Sequence, residues 1–299
     1  MSIERSSLYQ RSGHPRRNTY TNVGLDELTL HLWSVLNGKI HGIAFSPVMD
    51  GQTNLSEVSE TQIRARLDII RSYTNWIRTF SCTTGNDQIP AIAKQSGLKT
   101  MVGAWIDDDL DNNEKELKNA LNIVKQGHAD ILAIGNEVLL RDEMSEDDLI
   151  TYIYRAKEQA GDVPVGYVDA YFKFEDHPKV VEACDILLVN CYPFWEKCPL
   201  EHALVYMKDM YHRAVHAAKG KKVVIAETGW PTRGAPFGAA VPSSENALKY
   251  FLDTYDWAQT DDIDIFYFAA FDEAWKVEKE GDVGAYWGLW HSDGSSKFK

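Results

Sequence analysis

Four cysteines, no long apolar run and a shortage of positive charge set the outer limits of this 299-residue chain. Cys82, Cys184, Cys191 and Cys198 form no CxxC pair, and the steps from 184 to 191 and from 191 to 198 match no common zinc pattern. They read as structural thiols. No stretch approaches the ~18 apolar residues of a membrane helix, and the opening MSIERSSLYQRSGHPRRN lacks the apolar centre of a secretory signal. With 31 Lys and Arg against 44 Asp and Glu, the net charge of −13 repels an extended phosphate backbone or an anionic bilayer. Nucleic acid is therefore not an expected partner. No Gly-x-Gly-x-x-Gly turn follows the first candidate strand, which argues against a dinucleotide fold.

What the chain does have is ring surface: nine Trp, fourteen Tyr and eleven Phe exceed what one core needs and suit flat, uncharged ligands such as sugars. Hydrophobic residues at 44% and charged residues at 25% are ordinary for a globular chain, and the length fits a single α/β barrel. Residues 1–20 carry four arginines against one acid and little apolar periodicity, so they read as a flexible or loosely docked arm before a domain spanning 21–299. Asn54-Leu55-Ser56 is a glycosylation sequon of a kind expected by chance.

Beyond the arm, short apolar runs alternate with amphipathic ones. The runs are GIAFSP (42–47), WIRTFS (76–81), LKTMVGAWI (98–106), ILAIGNEV (131–138), VPVGYVD (163–169), ILLVNCYPF (186–194), KVVIAETGW (222–230) and DIFYFAAFDE (264–273). Helical patterns lie between them, including a Ser145-x-x-Asp148 cap, an Ile89–Gln95 segment and a short stretch at Pro178–Ala183. Eight strands joined by seven crossovers predict a TIM (β/α)8 barrel, compact and without a large extra subdomain; a doubly wound open sheet is the alternative. The tail GAYWGLWHSDGSSKFK is too short and glycine-rich for an eighth full helix, so the helix expected at Leu25–Leu36 is predicted to cover the barrel there.

Barrel chemistry gathers at the C-terminal strand ends. The fourth run ends in Asn136-Glu137, the seventh in Glu227-Thr228-Gly229-Trp230, the eighth in Asp272-Glu273-Ala274-Trp275-Lys276, and the sixth in Asn190-Cys191-Tyr192-Pro193-Phe194-Trp195. Two facing carboxylates without a metal-ligand cluster suit glycoside cleavage, where one carboxyl protonates the leaving oxygen and the other attacks or activates water. The acid must stay protonated near neutral pH through burial or a like charge, and the nucleophile must stay ionised and held by donors, for which Lys276 and Arg78 are candidates. Each position also has a plainer account. Gly135-Asn136-Glu137 could open a helix with an acid at its dipole, Glu227 could form a buried salt bridge, and Tyr192 and Trp230 could be packing residues rather than sugar contacts.

The strings VVIAETGWPT, AIGNEV, FYFAAFDEAWK and GAYWGLWHSDG together resemble glycoside hydrolase family 17, the β-1,3-glucanases and β-1,3-glucanosyltransferases, over nearly the whole chain from about residue 40. The closing strings look more like fungal and bacterial members than plant ones. The resemblance implies a retaining TIM-barrel enzyme with Glu137 as acid/base and Glu227 as nucleophile. It implies Asn136 near the sugar's 2-hydroxyl, Tyr192 positioning the nucleophile, Glu273 and Lys276 as the Glu-x-x-Lys after the eighth strand, and Trp230 along the cleft. Retention predicts carboxyls about 5 to 5.5 Å apart, and about 8 Å or more would indicate inversion. Trp195, Trp275, Trp287 and Trp290 are candidate acceptor platforms, which would favour transfer to a second glucan over hydrolysis.

The expected activity is thus β-1,3-glucanosyl transfer with some hydrolysis, the alternatives being a mainly hydrolytic endo-β-1,3-glucanase and a non-catalytic glucan-binding barrel. Asp107, Asp109 and Asp111 have calcium-loop spacing but lack the sixth-position glycine, and Lys118 occupies the twelfth position. His212 and His216 lack the intervening glutamate of a zinc protease. No metal or cofactor is expected. The partners expected are β-1,3-glucan or laminarioligosaccharides as donor and acceptor, the chain is expected to be a monomer, and the family suggests a secreted or wall-facing location.

Overall fold

The computed structural model describes residues 19–299. Eight parallel strands close into a barrel in the order of the chain: β1 (Ile40–Ala44), β2 (Thr74–Arg78), β3 (Lys99–Ala104), β4 (Ile131–Asn136), β5 (Val165–Ala170), β6 (Ile186–Asn190), β7 (Val223–Thr228) and β8 (Ile265–Tyr267). Each starts within two residues of the start of its apolar run, and all but β5, which ends one residue beyond its run, stop short of the run's end. The polar and aromatic residues that follow leave the ladder and form the rim.

The helices are α1 (Leu25–Asn37), α2 (Glu60–Ile70), α3 (Ile89–Gln95), α4 (Leu110–Lys125), α5 (Glu146–Ala160), α6 (Lys173–Asp176), α7 (Pro178–Ala183), α8 (Leu200–Ala217), α9 (Ser244–Thr260) and α10 (Val277–Glu280). Their starts follow local chemistry. Ser145 Oγ accepts from Asp148 N at 3.2 Å and donates to Asp148 Oδ2 at 2.6 Å, so the cap satisfies one of the free N–H groups of the first turn of α5. Ser59 and Ser243 cap α2 and α9 in the same way. After β8 only α10 and short 3₁₀ turns follow, so there is no full eighth crossover helix. As the short, glycine-rich tail leads one to expect, α1 sits against it. Leu28, Leu32 and Leu36 share one apolar cluster with Leu289, Trp290 and Phe298, and Trp33 Nε1 donates to the Phe298 carbonyl at 3.3 Å.

Most of the predicted N-terminal arm lies outside the described residues. Its last two positions are tied to α9, with Thr19 N donating to Asp253 Oδ1 at 3.0 Å and Tyr20 Oη to Asp256 Oδ2 at 2.7 Å.

The barrel interior is filled by Met101, Ile131, Ala133, Val168, Ile186, Leu188, Val224, Ala226 and Phe266, with Trp76 beside them. Alternate residues of each strand therefore point inward, and the others face the helices. Two strands break this alternation. Between Val189/Asn190 on β6 and their partners Ile225/Glu227, β7 contains one extra residue, and it has the same excess against β8. Strand β4 has one extra residue against β5 between Ala133 and Asn136. With Val224 and Ala226 inward, strict alternation would turn Glu227 toward the helices; the bulge rotates it back into the barrel mouth. The four cysteines remain buried thiols, and among the described residues no helix is long and apolar enough to cross a membrane.

Candidate active site

The mouth of the barrel is built on Glu227 and Glu137. Both oxygens of Glu227 accept hydrogen bonds: Arg78 Nη1 donates to Oε1, and Tyr192 Oη donates to Oε2 at 2.8 Å. Glu227 and Arg78 are 6% and 2% exposed, so this is a charge pair inside the protein rather than on its surface. The guanidinium also reaches the Ala226 carbonyl at 3.3 Å and, through Nη2, Asn136 Oδ1 at 2.6 Å, so β2 holds β4 and β7 at once. It lies over the Phe80 ring, 4.4 Å from the centroid. A carboxylate fixed by a cation and a phenol has its lone pairs aimed and its rotamer locked, as a nucleophile requires.

Glu137 has a different shell. Its Oε1 accepts from Asn190 Nδ2 at 2.8 Å. Burial, then the negative charge of Glu227, raises its carboxyl to about 7, opposed by the Asn190 hydrogen bond and the Arg141 guanidinium, with Asp169 adding to the rise. Two carboxyls in one mouth thus have opposed environments, the arrangement that separates an acid from a nucleophile. Glu137 also has a positive φ of 55°, unusual for a side-chain-bearing residue. Gly135 before it has φ 80°, and a Cβ there would stand 2.9 Å from Val138 Cγ2. Gly229 after Glu227 is required for closeness instead, since a Cβ would stand 2.2 Å from the Phe268 carbonyl oxygen.

The remaining predicted residues divide. Lys276 Nζ pairs with Glu273 Oε2 at 2.5 Å and lies 4.1 Å from the Phe268 centroid, while Trp275 Nε1 donates to Glu273 Oε1 at 3.1 Å. Glu280 of α10 shares this region, and its carboxyl is pushed up to about 7 by burial and by the charges of Glu227 and Glu273, against the pull of Lys276. Trp195 is half-buried in an aromatic cluster, 5.5 Å from Phe237 and 5.4 Å from Trp287. Trp230 does not line the cleft: it is fully buried, donates to the Val241 carbonyl at 3.0 Å, and packs on Phe194 and Tyr250. The residue after Gly229 turns back under the β7 loop, so a strand-end aromatic becomes core. Trp287 and Trp290, at 2% and 4% exposed, are likewise packing residues rather than platforms.

Asn190 escaped the sequence reading of site residues, and only its place at the end of the sixth run could have suggested it. Asp109 caps α4 through Asn112 N at 3.0 Å, and Asp107 accepts from Trp105 Nε1 at 2.9 Å. His212 and His216 are exposed on α8. Among the described residues no group of three His, Cys, Asp or Glu side chains is placed to hold a metal.

A closed βα-barrel with a held carboxylate on β7 and a partly neutral carboxyl after β4 defines a glycosidase-type enzyme. The family model for the BtgE/BtgC glycoside hydrolase domain matches residues 42–288, and the chain belongs to that family. It is 29% identical over 258 residues to a glucan 1,3-beta-glucosidase, BGL2, of Candida albicans, covering 78% of this chain and 83% of that one. The cell surface mannoprotein MP65 of Candida albicans is 26% identical, with 85% of this chain and 67% of its own covered. Among solved structures, the glycoside hydrolase family 17 beta-1,3-glucanosyltransferase of Rhizomucor miehei superposes with a TM-score of 0.79 at 31% identity, covering 87% of this chain and 96% of that one. An active-site mutant of that enzyme in complex with laminaritriose has the same TM-score at 30% identity and the same coverage.

Proposed function

We propose that this protein is a retaining β-1,3-glucan-active enzyme that cleaves internal β-1,3-glucosidic bonds and passes the glucan segment to another glucan, with some hydrolysis. The observation that carries the reading is the asymmetry of the two carboxyls, one held by Arg78 and Tyr192 and the other half-buried beside a like charge. In the first step a Glu227 oxygen bonds to the anomeric carbon as the glycosidic C–O bond breaks, and the Glu137 proton passes to the departing oxygen. In the second step Glu137, now ionised, takes a proton from an acceptor hydroxyl or water as that oxygen displaces Glu227. Arg78 and Tyr192 aim the nucleophile, and Asn136 is fixed beside the acid for the sugar's 2-hydroxyl. The Glu273–Lys276 pair, Trp275 and Trp195 line the binding surface.

Laminaritriose in the Rhizomucor miehei structure supports β-1,3-linked oligosaccharides as donor and acceptor. The mannoprotein relative supports a cell-surface location, and the enzyme acts as a monomer. The test is a time course of one defined laminarioligosaccharide beside Glu227→Ala, with products sized by chromatography. Products longer than the starting sugar establish transfer; exclusively shorter ones make the protein an endo-β-1,3-glucanase. Proton NMR of the first-formed anomer checks retention.

A further inference from the structure

The segment that presents Glu137 is a strained turn with no helix behind it. Glu137 itself is in the left-handed region, a conformation that persists only where the surroundings over-determine it. Part of the restraint is local: Glu137 N donates to the Val168 carbonyl at 2.8 Å, and Arg141 N donates to the Glu137 carbonyl at 2.9 Å. Leu139 N and Leu140 N find their partners across the turn rather than within it. They point at β5, where the Tyr167 hydroxyl accepts from Leu139 N at 2.9 Å and the Asp169 carboxylate accepts from the backbone of Leu140. Tyr167 Oη donates in turn to Asp169 Oδ2, and Ala170 N donates to Asp169 Oδ1 at 2.7 Å. Both side chains are buried, Tyr167 at 1% and Asp169 at 0% exposed. Because Val168 fills the barrel interior, its neighbours lie on the helix-facing side of β5, outside the substrate cleft. A buried carboxylate there, with no ion-pair partner among the described residues, needs a purpose beyond packing.

We propose that Tyr167 and Asp169 are positioning residues for the acid/base, acting as a cap supplied from the neighbouring strand that fixes the turn after Glu137 and sets the charge around its carboxyl. This rests on the assignment of Glu137 as acid/base. The charged and titratable groups that face Glu137 are Glu227 from β7, Tyr192 from the β6 loop, Arg141 from its own turn, and Tyr167 and Asp169 from β5; Asn190 of β6 is the neutral donor. Asp169 is faced by Tyr167, by Lys173 of α6 and by Glu137. Of the groups on β5, only Asp169 brings negative charge, and it favours the protonated form of Glu137 that donates to the leaving oxygen.

Asp169→Asn and Tyr167→Phe separate the two parts. The phenylalanine keeps the ring against Gly135 and Phe174, so this variant preserves the packing even if the asparagine folds poorly. Each variant is assayed on a laminarioligosaccharide, whose leaving group needs the proton, and on a 2,4-dinitrophenyl β-laminarioside, whose leaving group does not. Both are expected to lower kcat on the oligosaccharide by up to about 100-fold, the order of loss when a catalytic group is misplaced by about 1 Å, with much smaller losses in glycosylation on the aryl substrate. Asp169→Asn should also move the alkaline limb of the kcat/KM profile to lower pH, whereas Tyr167→Phe should not. Equal losses on both substrates, or an unmoved alkaline limb in Asp169→Asn, overturns the proposal. Glu137→Ala with azide is the control for the underlying assignment. If it shows no azide-dependent gain on the aryl substrate, the acid/base reading fails; if it does and the β5 variants do not discriminate, only the positioning role fails.

Discussion

Replacing the acid by its neutral isostere should make the protein inactive on glucan and more stable at the same time. In the folded state the Glu137 carboxyl is raised from 4.5 to about 7, chiefly by burial and then by Glu227. Between those two values the native state binds more protons than the unfolded chain, so stability falls as pH rises through that window, and the penalty is complete above about 7. At about 1.4 kcal/mol per pH unit, the ionised form costs roughly 3 kcal/mol. Glu137→Gln keeps the acceptor for Asn190 Nδ2 and removes the charge. At pH 8 the variant should exceed the wild type by about that amount. With an unfolding entropy near 2.1 cal/mol/K per residue, this raises Tm by about 5 °C for a chain of 299 residues. Near pH 4, where both states are protonated in the wild type, the difference should nearly vanish. Calorimetry of both proteins at the two pH values is the assay, and titrating groups remote from Glu137 cancel in the subtraction. A glutamine variant equal to or less stable than wild type at pH 8, or a gain independent of pH, would refute the placement of the acid in a charge-averse site.

Arg78→Met leaves Glu227 buried without its cation and frees Asn136. Turnover should fall by about 10²- to 10³-fold and urea unfolding should show a loss of about 3 to 5 kcal/mol; unchanged turnover removes Arg78 from the site. Tyr192→Phe deletes one neutral donor to Glu227, and kcat for the glycosylation step should drop about tenfold, as stopped-flow on an aryl donor reads directly, with a stability loss of about 1 to 3 kcal/mol in urea unfolding. Trp195→Ala should shift products from transfer toward hydrolysis in the chromatographic time course, and an unchanged ratio would take Trp195 off the acceptor side. Lys297, 5% exposed in its side chain, donates to Asp272 Oδ1 at 2.6 Å and to Thr232 Oγ1 at 3.0 Å, and so ties the tail to the loops after β7 and β8. Lys297→Met should cost about 3 kcal/mol in denaturant unfolding by stranding the Asp272 carboxylate, and a loss below about 1 kcal/mol would show the tie to be dispensable.

Periodicity made the barrel legible because parallel strands buried on both faces are continuous apolar runs, and the residues that end them are the rim. Ser145 with Asp148, the Ile89–Gln95 helix and the helical spacing of Leu25, Leu28, Leu32 and Leu36 in α1 could be read for the same reason, since caps and helical faces are local chemistry. Glu137 and Glu227, the glutamates proposed as acid/base and nucleophile, were legible as polar residues at the ends of the fourth and seventh runs. Their motif glycines belong to the same signal, because Gly135 and Gly229 are fixed by a backbone angle and a backbone contact within a few residues of each acid or across one strand.

Tertiary structure alone decided which way the rim side chains turn. Trp230 follows Gly229 directly in sequence, yet its ring goes into the core under Phe194 and Tyr250, because the β7 loop folds back over it. Trp287 packs against Tyr192 and Phe194, and Trp290 against Trp33 and Tyr73, both buried. The bulges in β4 and β7 are likewise invisible in the sequence, since an extra residue is defined only against the neighbouring strand. Partner choice followed from closure of the barrel: Arg78 of β2 meets Glu227 of β7, 149 residues away, and Asn190 of β6 meets Glu137 after β4. The sequence determined which chemical groups stand at the strand ends. The fold determined which of them face one another, because facing depends on strand register and barrel closure, to which residues distant in the chain contribute.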